Sequence, residues 1–321
     1  MGHNIEIVNG VAKMAYAGET PWHGLGKEVP ADLSTDQMLK AAELDWTVTK
    51  IPAYATIDNK KVSVGWSALT RNTDNKVLGI VSNEWHPVQN QEAFDFFSEY
   101  VEAGNMEMHT AGSLDGGRIV WALAKVKDHF AVMQNGRDQI DSYILFTNPH
   151  KFGQGIDIRF TPIRVVCNNT LTLALGEQVA NVFKQSHRRE FSAETAKETL
   201  GMAHDKMVKY KEMSQFLASK RYTDQKLKEY MRSVLPMITQ KEEKTDLLSR
   251  SAAKALEIVE VQPGAEFAPG TWWNAFNAVT FLTDHLAGRS ADTRLKSAWY
   301  GQNKNVKLKA LKTAVEFAEA A

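Results

Sequence analysis

The sequence predicts an α+β fold, in which an antiparallel β-rich N-terminal domain carries one or two packed helices and is followed by a mainly α-helical C-terminal region. Short β-prone runs separated by turn residues recur from Thr47 to Val166. Their spacing leaves no room for crossover helices, so a doubly wound parallel sheet is disfavoured. Beyond Cys167 the punctuation changes to long stretches of helical composition, divided by Pro236, Pro263-Gly264, Pro269-Gly270 and Gly288 or Gly301. The implied organisation is a leader with a short helix over 1–46, a sheet core over 47–183 and a basic helical region over 184–321.

Taken in order, Met1 to about Pro30 reads as an irregular leader. Ser34-Thr-Asp-Gln37 is a capping box, which opens a short helix through Leu44. Thr47–Ile51, Ala53–Ile57, Val62–Leu69 and Val77–Val81 read as a meander, with turns at Asp58-Asn59-Lys60 and Arg71–Asn75. Asn90 suits an N-cap, Phe94, Phe97 and Val101 keep helical spacing, and Gly104 marks the stop. Strands resume over Met106–Ala111, Arg118–Ala124, Ile140–Phe146 and Ile156–Val166. Asn168 or Asn169 is expected to cap a helix from near Thr170, with further helices near Ala193–Lys220, Thr223–Leu235, Gln240–Glu260, Thr271–Leu286 and Val306–Ala320. Trp272, Phe276 and Val279 form the core stripe of one of these.

The charges balance to zero, yet residues 1–183 carry 15 Lys+Arg against 21 Asp+Glu and residues 184–321 carry 23 against 17. Between Leu286 and Lys312 lie Arg289, Arg294, Lys296, Lys304, Lys307, Lys309 and Lys312, opposed only by Asp292. Such an excess suits a polyanion, a solvated helix face, or a contact between copies of the chain. The single cysteine, Cys167, excludes an internal disulfide and a cysteine-rich zinc module. With no basic-then-apolar leader and no apolar run of membrane length, a cytoplasmic protein without membrane contact is expected. The nine histidines show neither His-x-His nor His-Glu-x-x-His, so no metal site and no cofactor is expected.

The segment Thr147–Gly155 is polar and glycine-rich and joins two strong strand patterns. His150, Lys151 and the following Arg159 and Arg164 carry donors suited to phosphate oxygens, against the plain alternative of a long hairpin loop. His150, Asn168 and Asn169 make up a candidate functional loop. Cys167 at a strand-to-helix junction, with His150 as base and an asparagine orienting it, would suit a hydrolase, although a structural cysteine fits the spacing better. Gly24-Leu-Gly26-Lys27 is too short for a phosphate loop, and His23 reads as a structural donor beside it. Trp66, Trp85 and Trp121 fall in or beside strands, where they either stack on unpaired bases or fill the core.

Ile7–Gly10, Met14–Glu19, Pro21-Trp22-His23-Gly24-Leu25-Gly26, Thr161–Leu171 and Phe276–Thr280 together resemble the phage/plasmid-like proteins of the domain of unknown function 932 family, in the family's order and across most of the chain. In the central loop, the aspartate, glycine and serine of the family pattern after the histidine are replaced here by Lys151-Phe152-Gly153. The resemblance implies residence on a phage or plasmid, among genes for DNA processing and for countering host defence. It supplies no reaction, and a sheet core followed by basic helices is similar in outline to single-strand-annealing proteins. The expectation is a non-enzymatic, homo-oligomeric protein that binds nucleic acid, chiefly single-stranded DNA. Lys151, Arg159, Arg164, Arg289, Arg294, Tyr300, Lys304 and Lys307 are its contact residues. The alternatives are inhibition of a host defence protein by direct contact and a cysteine-dependent hydrolase or nucleotide-processing enzyme.

Overall fold

The computed structural model describes residues 5–18, 21, 24–133, 136, 138–164, 169–170, 182–201, 203–236, 248–288, 297–298 and 301–320. The predicted α+β class is the observed one. A hairpin of β1 (Ile7–Val8) and β2 (Val11–Ala12) precedes β3 (Met14–Ala17) and β4 (Lys27–Val29). Helix α1 (Thr35–Ala41) follows, then β5 (Val48–Ile57), β6 (Lys60–Arg71), β7 (Val77–Ser82) and α2 (Asn90–Glu102). Next come β8 (Met106–Leu114), β9 (Ile119–Ala131), β10 (Gln139–Pro149), β11 (Ile156–Arg164), β12 (Asn169–Thr170) and β13 (Val182–Gln185). The helices α3 (Ala193–Gly201), α4 (Ala203–Ser219), α5 (Asp224–Val234), α6 (Arg250–Ile258), α7 (Trp272–Phe281) and α8 (Gln302–Glu319) complete the described chain.

The main sheet has the order β12-β11-β10-β9-β8-β3-β4, with β13 also paired to β11, and a second sheet has the order β5-β6-β7. All pairs are antiparallel except β3 with β4. Alternation along the strands sends Ile158 and Phe160 of β11, Ile144 and Phe146 of β10 and Val120, Ala122 and Ala124 of β9 into the larger core. The opposite face carries Trp121, Leu123, Tyr143 and Leu145, packed with Met14, Tyr16 and Ala298 in a smaller one. The larger core takes residues from each of the three sequence segments, from Ala15 to Ala318.

Several expectations need correction. The leader is not irregular: Met14–Ala17 is a fully buried strand, because its short apolar run is paired by β8, about a hundred residues away. Thr170 itself does not open a helix, and residues 171–181 of the expected one lie outside the described residues. Asn169 and Thr170 continue the ladder of β11, as do Val182–Gln185, since the nine residues of β11 offer backbone partners that outweigh local preference. The capping box is as read, with Ser34 Oγ accepting from Gln37 N–H, but α1 ends at Ala41, and Glu43 then takes a left-handed φ of 55°. The N-cap of α2 is Gln89, not Asn90, and the asparagine is freed for the site described below. The segment read as Ala193–Lys220 is helical over Ala193–Gly201 and Ala203–Ser219. Helix α7 is buried all round, from Trp272 to Thr280, rather than along one stripe. Some of its polar groups are paired within the core: Gln262 Nε2 donates to Asn274 Oδ1 at 2.7 Å, and Trp273 Nε1 donates to Asp138 Oδ2 at 2.7 Å.

Candidate nucleic-acid interface

The hairpin loop between β10 and β11 forms one wall of a cleft of about 590 Å³. The cleft is lined by Trp85, Thr147 and Phe152–Asp157 on one side and by Lys184–Arg188 on the other. Glycine has different uses along this loop. Gly153 takes a φ of +83° at the turn, whereas a Cβ on Gly155 would collide with the backbone carbonyl of Gln185. The glycine expected to let a ligand approach therefore lets β13 approach, and β13 in turn carries Lys184 to the cleft. Lys184 and Arg188 are exposed, as is Phe152, whose ring meets the exposed Trp66 edge-on at 5.4 Å.

A second group of charges adjoins the cleft where Lys184 lies opposite Asp157 in the β11–β13 register. Arg159 is 5% exposed and clamps Asp157 through Nε at 2.6 Å and Nη2 at 2.5 Å. Half-buried Lys304 sits within electrostatic reach of Arg159, Lys184 and Lys307, so its pKa is lowered, first by burial and then by those like charges, with Asp157 opposing. Lys307 is fully buried and donates to Asp284 Oδ1 at 2.8 Å.

The predicted contact residues divide sharply on this geometry. Arg159, Lys304 and Lys307 are brought together, Lys184 joins them, and Arg188 lines the adjoining cleft. Lys307 and Arg159 are not surface donors: burial makes them costly unless paired, and Asp284 and Asp157 pair them. Lys151 is also matched, to Asp115 Oδ2 at 2.8 Å, and points away from the proposed role of phosphate donor. Arg164 and Asn169 are Cα partners across the β11–β12 ladder. His23, Cys167, Asn168, Arg289, Arg294 and Tyr300 lie outside the described residues.

His150 is buried, and its Nε2 pairs with Asn90 Oδ1 at 2.9 Å, while Asn90 Nδ2 donates to Leu44 C=O at 2.8 Å. Burial pushes the pKa of His150 down to about 3, which makes it a structural ligand of α2 rather than an accessible base. His187 stacks on Trp85 with centroids 3.9 Å apart, and its Nδ1 lies 3.0 Å from the His86 carbonyl. Burial lowers its pKa to about 4. Trp85 is thereby occupied and Trp121 is core, so of the three strand tryptophans only Trp66 exposes its ring.

A pH dependence follows. Both histidines are neutral in the fold near pH 6.5, while the unfolded chain protonates them below that value. Stability is therefore fully present above about pH 6.5 and falls as the pH drops toward 4, by up to about 1.4 kcal/mol per pH unit for each histidine. Urea titrations at several pH values should show this slope, and His150→Gln should reduce it by one proton. A slope unchanged in a folded His150→Gln protein would contradict the assignment.

Lys184, His187 and Arg188 were not among the residues the sequence singled out. The alternation Val182-Phe183-Lys184-Gln185 followed by His187-Arg188-Arg189 was the available signal: a short strand leading into a basic turn. The helical composition on either side masks it.

The model of a domain of unknown function, DUF932, matches residues 77–299. The chain belongs to the DUF932 family. The DUF932 match begins at β7 and includes the cleft loop, β13, α7 and Asp284, but ends before Lys304 and Lys307. The cation cluster is therefore built partly from α8, beyond the matched segment. No curated protein and no solved structure matches the chain. Among the described residues, no helix is long and apolar enough to cross a membrane, and no group of three or more His, Cys, Asp or Glu is placed to hold a metal ion.

Proposed function

We propose that this DUF932 protein binds single-stranded nucleic acid without a sequence code, in the DNA processing of a phage or plasmid, and that the strand runs along the cleft. The observation that carries this reading is the convergence of Lys184, Arg188 and Lys304 beside two exposed rings, Phe152 and Trp66. Phosphates attract such cations regardless of sequence, and every base has a face that stacks on an aromatic ring. Arg159 and Lys307 are neutralised by their carboxylates and brace the site from below without touching the strand. Lys184→Ala and Arg188→Ala should each weaken binding to unrelated single strands and reduce the salt slope by roughly 0.7. Phe152→Ala should cost about 1–3 kcal/mol of single-strand affinity. Fluorescence anisotropy with labelled oligonucleotides measures both. A folded Lys184→Ala/Arg188→Ala protein with unchanged affinity would overturn the placement.

Inhibition of a host defence protein by direct contact has one observation in its favour, the exposed apolar side chains of β5 and β6. Pull-down of a defence component that survives Lys184→Ala/Arg188→Ala but not changes in those strands would favour it.

A further inference from the structure

The outer half of the β5–β6 hairpin projects from the body. No residue from Ile51 to Trp66 is buried, and β7 pairs only with Trp66–Thr70, so Lys60–Gly65 is paired by β5 alone. Ile51, Tyr54, Ile57, Val62, Val64 and Trp66 are each between 39% and 57% exposed. An isolated two-stranded ribbon is marginal in water, and a long apolar edge strand is a template for another strand. Among the described residues nothing pairs with the outer edge of β5.

The orientation of that edge is set by Gln89. Its side-chain amide accepts from Val48 N–H at 2.9 Å and donates to Val48 C=O at 3.0 Å, while Thr47 C=O accepts from Asn72 N–H on the β6 side. Val48 thus directs its backbone groups outward. By alternation so do Lys50, Pro52, Tyr54 and Thr56. Proline at such a position costs no bond to β6, which agrees with its place at the edge.

We infer that β5 pairs antiparallel with β5 of a second copy of this chain about a two-fold axis at Tyr54, giving a continuous six-stranded sheet. This register places Tyr54 against Tyr54 and Ile51 against Ile57 of the second copy, so exposed apolar side chains meet apolar ones. It also sets outward groups against outward groups, so the Tyr54 pair exchanges both backbone bonds and Thr56 N–H donates to Pro52 C=O, twice by symmetry. An isologous contact of this kind closes as a dimer. It uses the arm, not the cleft, and is independent of nucleic-acid binding.

Light scattering of the full chain over a wide concentration range should show a monomer–dimer equilibrium. Thr56→Pro removes the outward N–H and leaves the ladder to β6 intact, so it should weaken self-association by about tenfold or more at unchanged circular dichroism. In a Cys167→Ser background, Tyr54→Cys should form an intermolecular disulfide, because facing Cα atoms of a bonded antiparallel pair lie about 5.5 Å apart. Val64→Cys, on β6, should not. A wild-type monomer at every concentration, a dimer unmoved by Thr56→Pro, or a dimer in which Tyr54→Cys fails to cross-link would each overturn the inference.

Discussion

Replacing Asp284 by alanine should destabilise the protein by about 3–5 kcal/mol, because the Lys307 ammonium would be left buried without its counter-charge. The side chains of Lys307 and Asp284 are 0% and 6% exposed. Burial lowers the pKa of Lys307, and only the Asp284 carboxylate works against that shift. Asp284 itself lies in a π-helical turn, Leu282–Leu286, that ends α7 and aims it at α8. The double change Asp284→Ala/Lys307→Met should recover most of the loss, since replacing both partners removes the desolvated charge as well as its pair. Urea unfolding monitored by circular dichroism measures both variants. A loss below about 1 kcal/mol in Asp284→Ala, the range of an exposed ion pair, would mean that Lys307 reaches water.

Trp272→Ala should cost a similar amount, about 3–5 kcal/mol, through a cavity at the centre of the helical layer. The indole is fully buried and meets the rings of Tyr222 at 5.7 Å, Tyr230 at 5.5 Å and Phe317 at 5.3 Å. Those rings come from the segment just before α5, from α5 itself and from α8, so no single neighbour can move to fill the space. Tyr230 is further fixed by its hydroxyl, which donates to Ala310 C=O at 3.1 Å. Trp272→Phe should recover about half of the stability. A thermal midpoint in Trp272→Ala within a few degrees of wild type would contradict this packing.

How much of this could be read beforehand depended on the range of the interactions concerned. Local chemistry was legible: the Ser34 capping box, the Asp58-Asn59-Lys60 turn and the β10–β11 hairpin follow from neighbouring residues. The burial of Trp272, Phe276 and Val279 follows from helical period. Long-range pairing was not legible. Nothing near Met14 announces a partner at Gly112, and nothing near Val182 announces Arg159. The candidate site failed in the same way. Lys307 and Arg159 read as surface cations because their counter-ions were invisible: Asp284 lies 23 positions from Lys307, on another element, and Asp157 faces Arg159 only if the local strand assignment is right. His150 was noticed for its chemistry, whereas its partner Asn90 lies 60 positions away, on a helix it was expected to cap. The loop itself walls the cleft, through Phe152 and Gly155 rather than through His150 and Lys151.

The claim that the cleft and its cations receive a nucleic-acid strand is tested most directly by titrating the full chain with unrelated single-stranded oligonucleotides and a duplex across a range of salt concentrations. Different single-stranded sequences should bind with similar affinity, with log K falling linearly with log salt by roughly 0.7 for each phosphate neutralised. The slope should be shallower in Lys184→Ala/Arg188→Ala/Lys304→Ala. Affinity that is absent at low salt, or a slope identical in wild type and the folded triple variant, would contradict it.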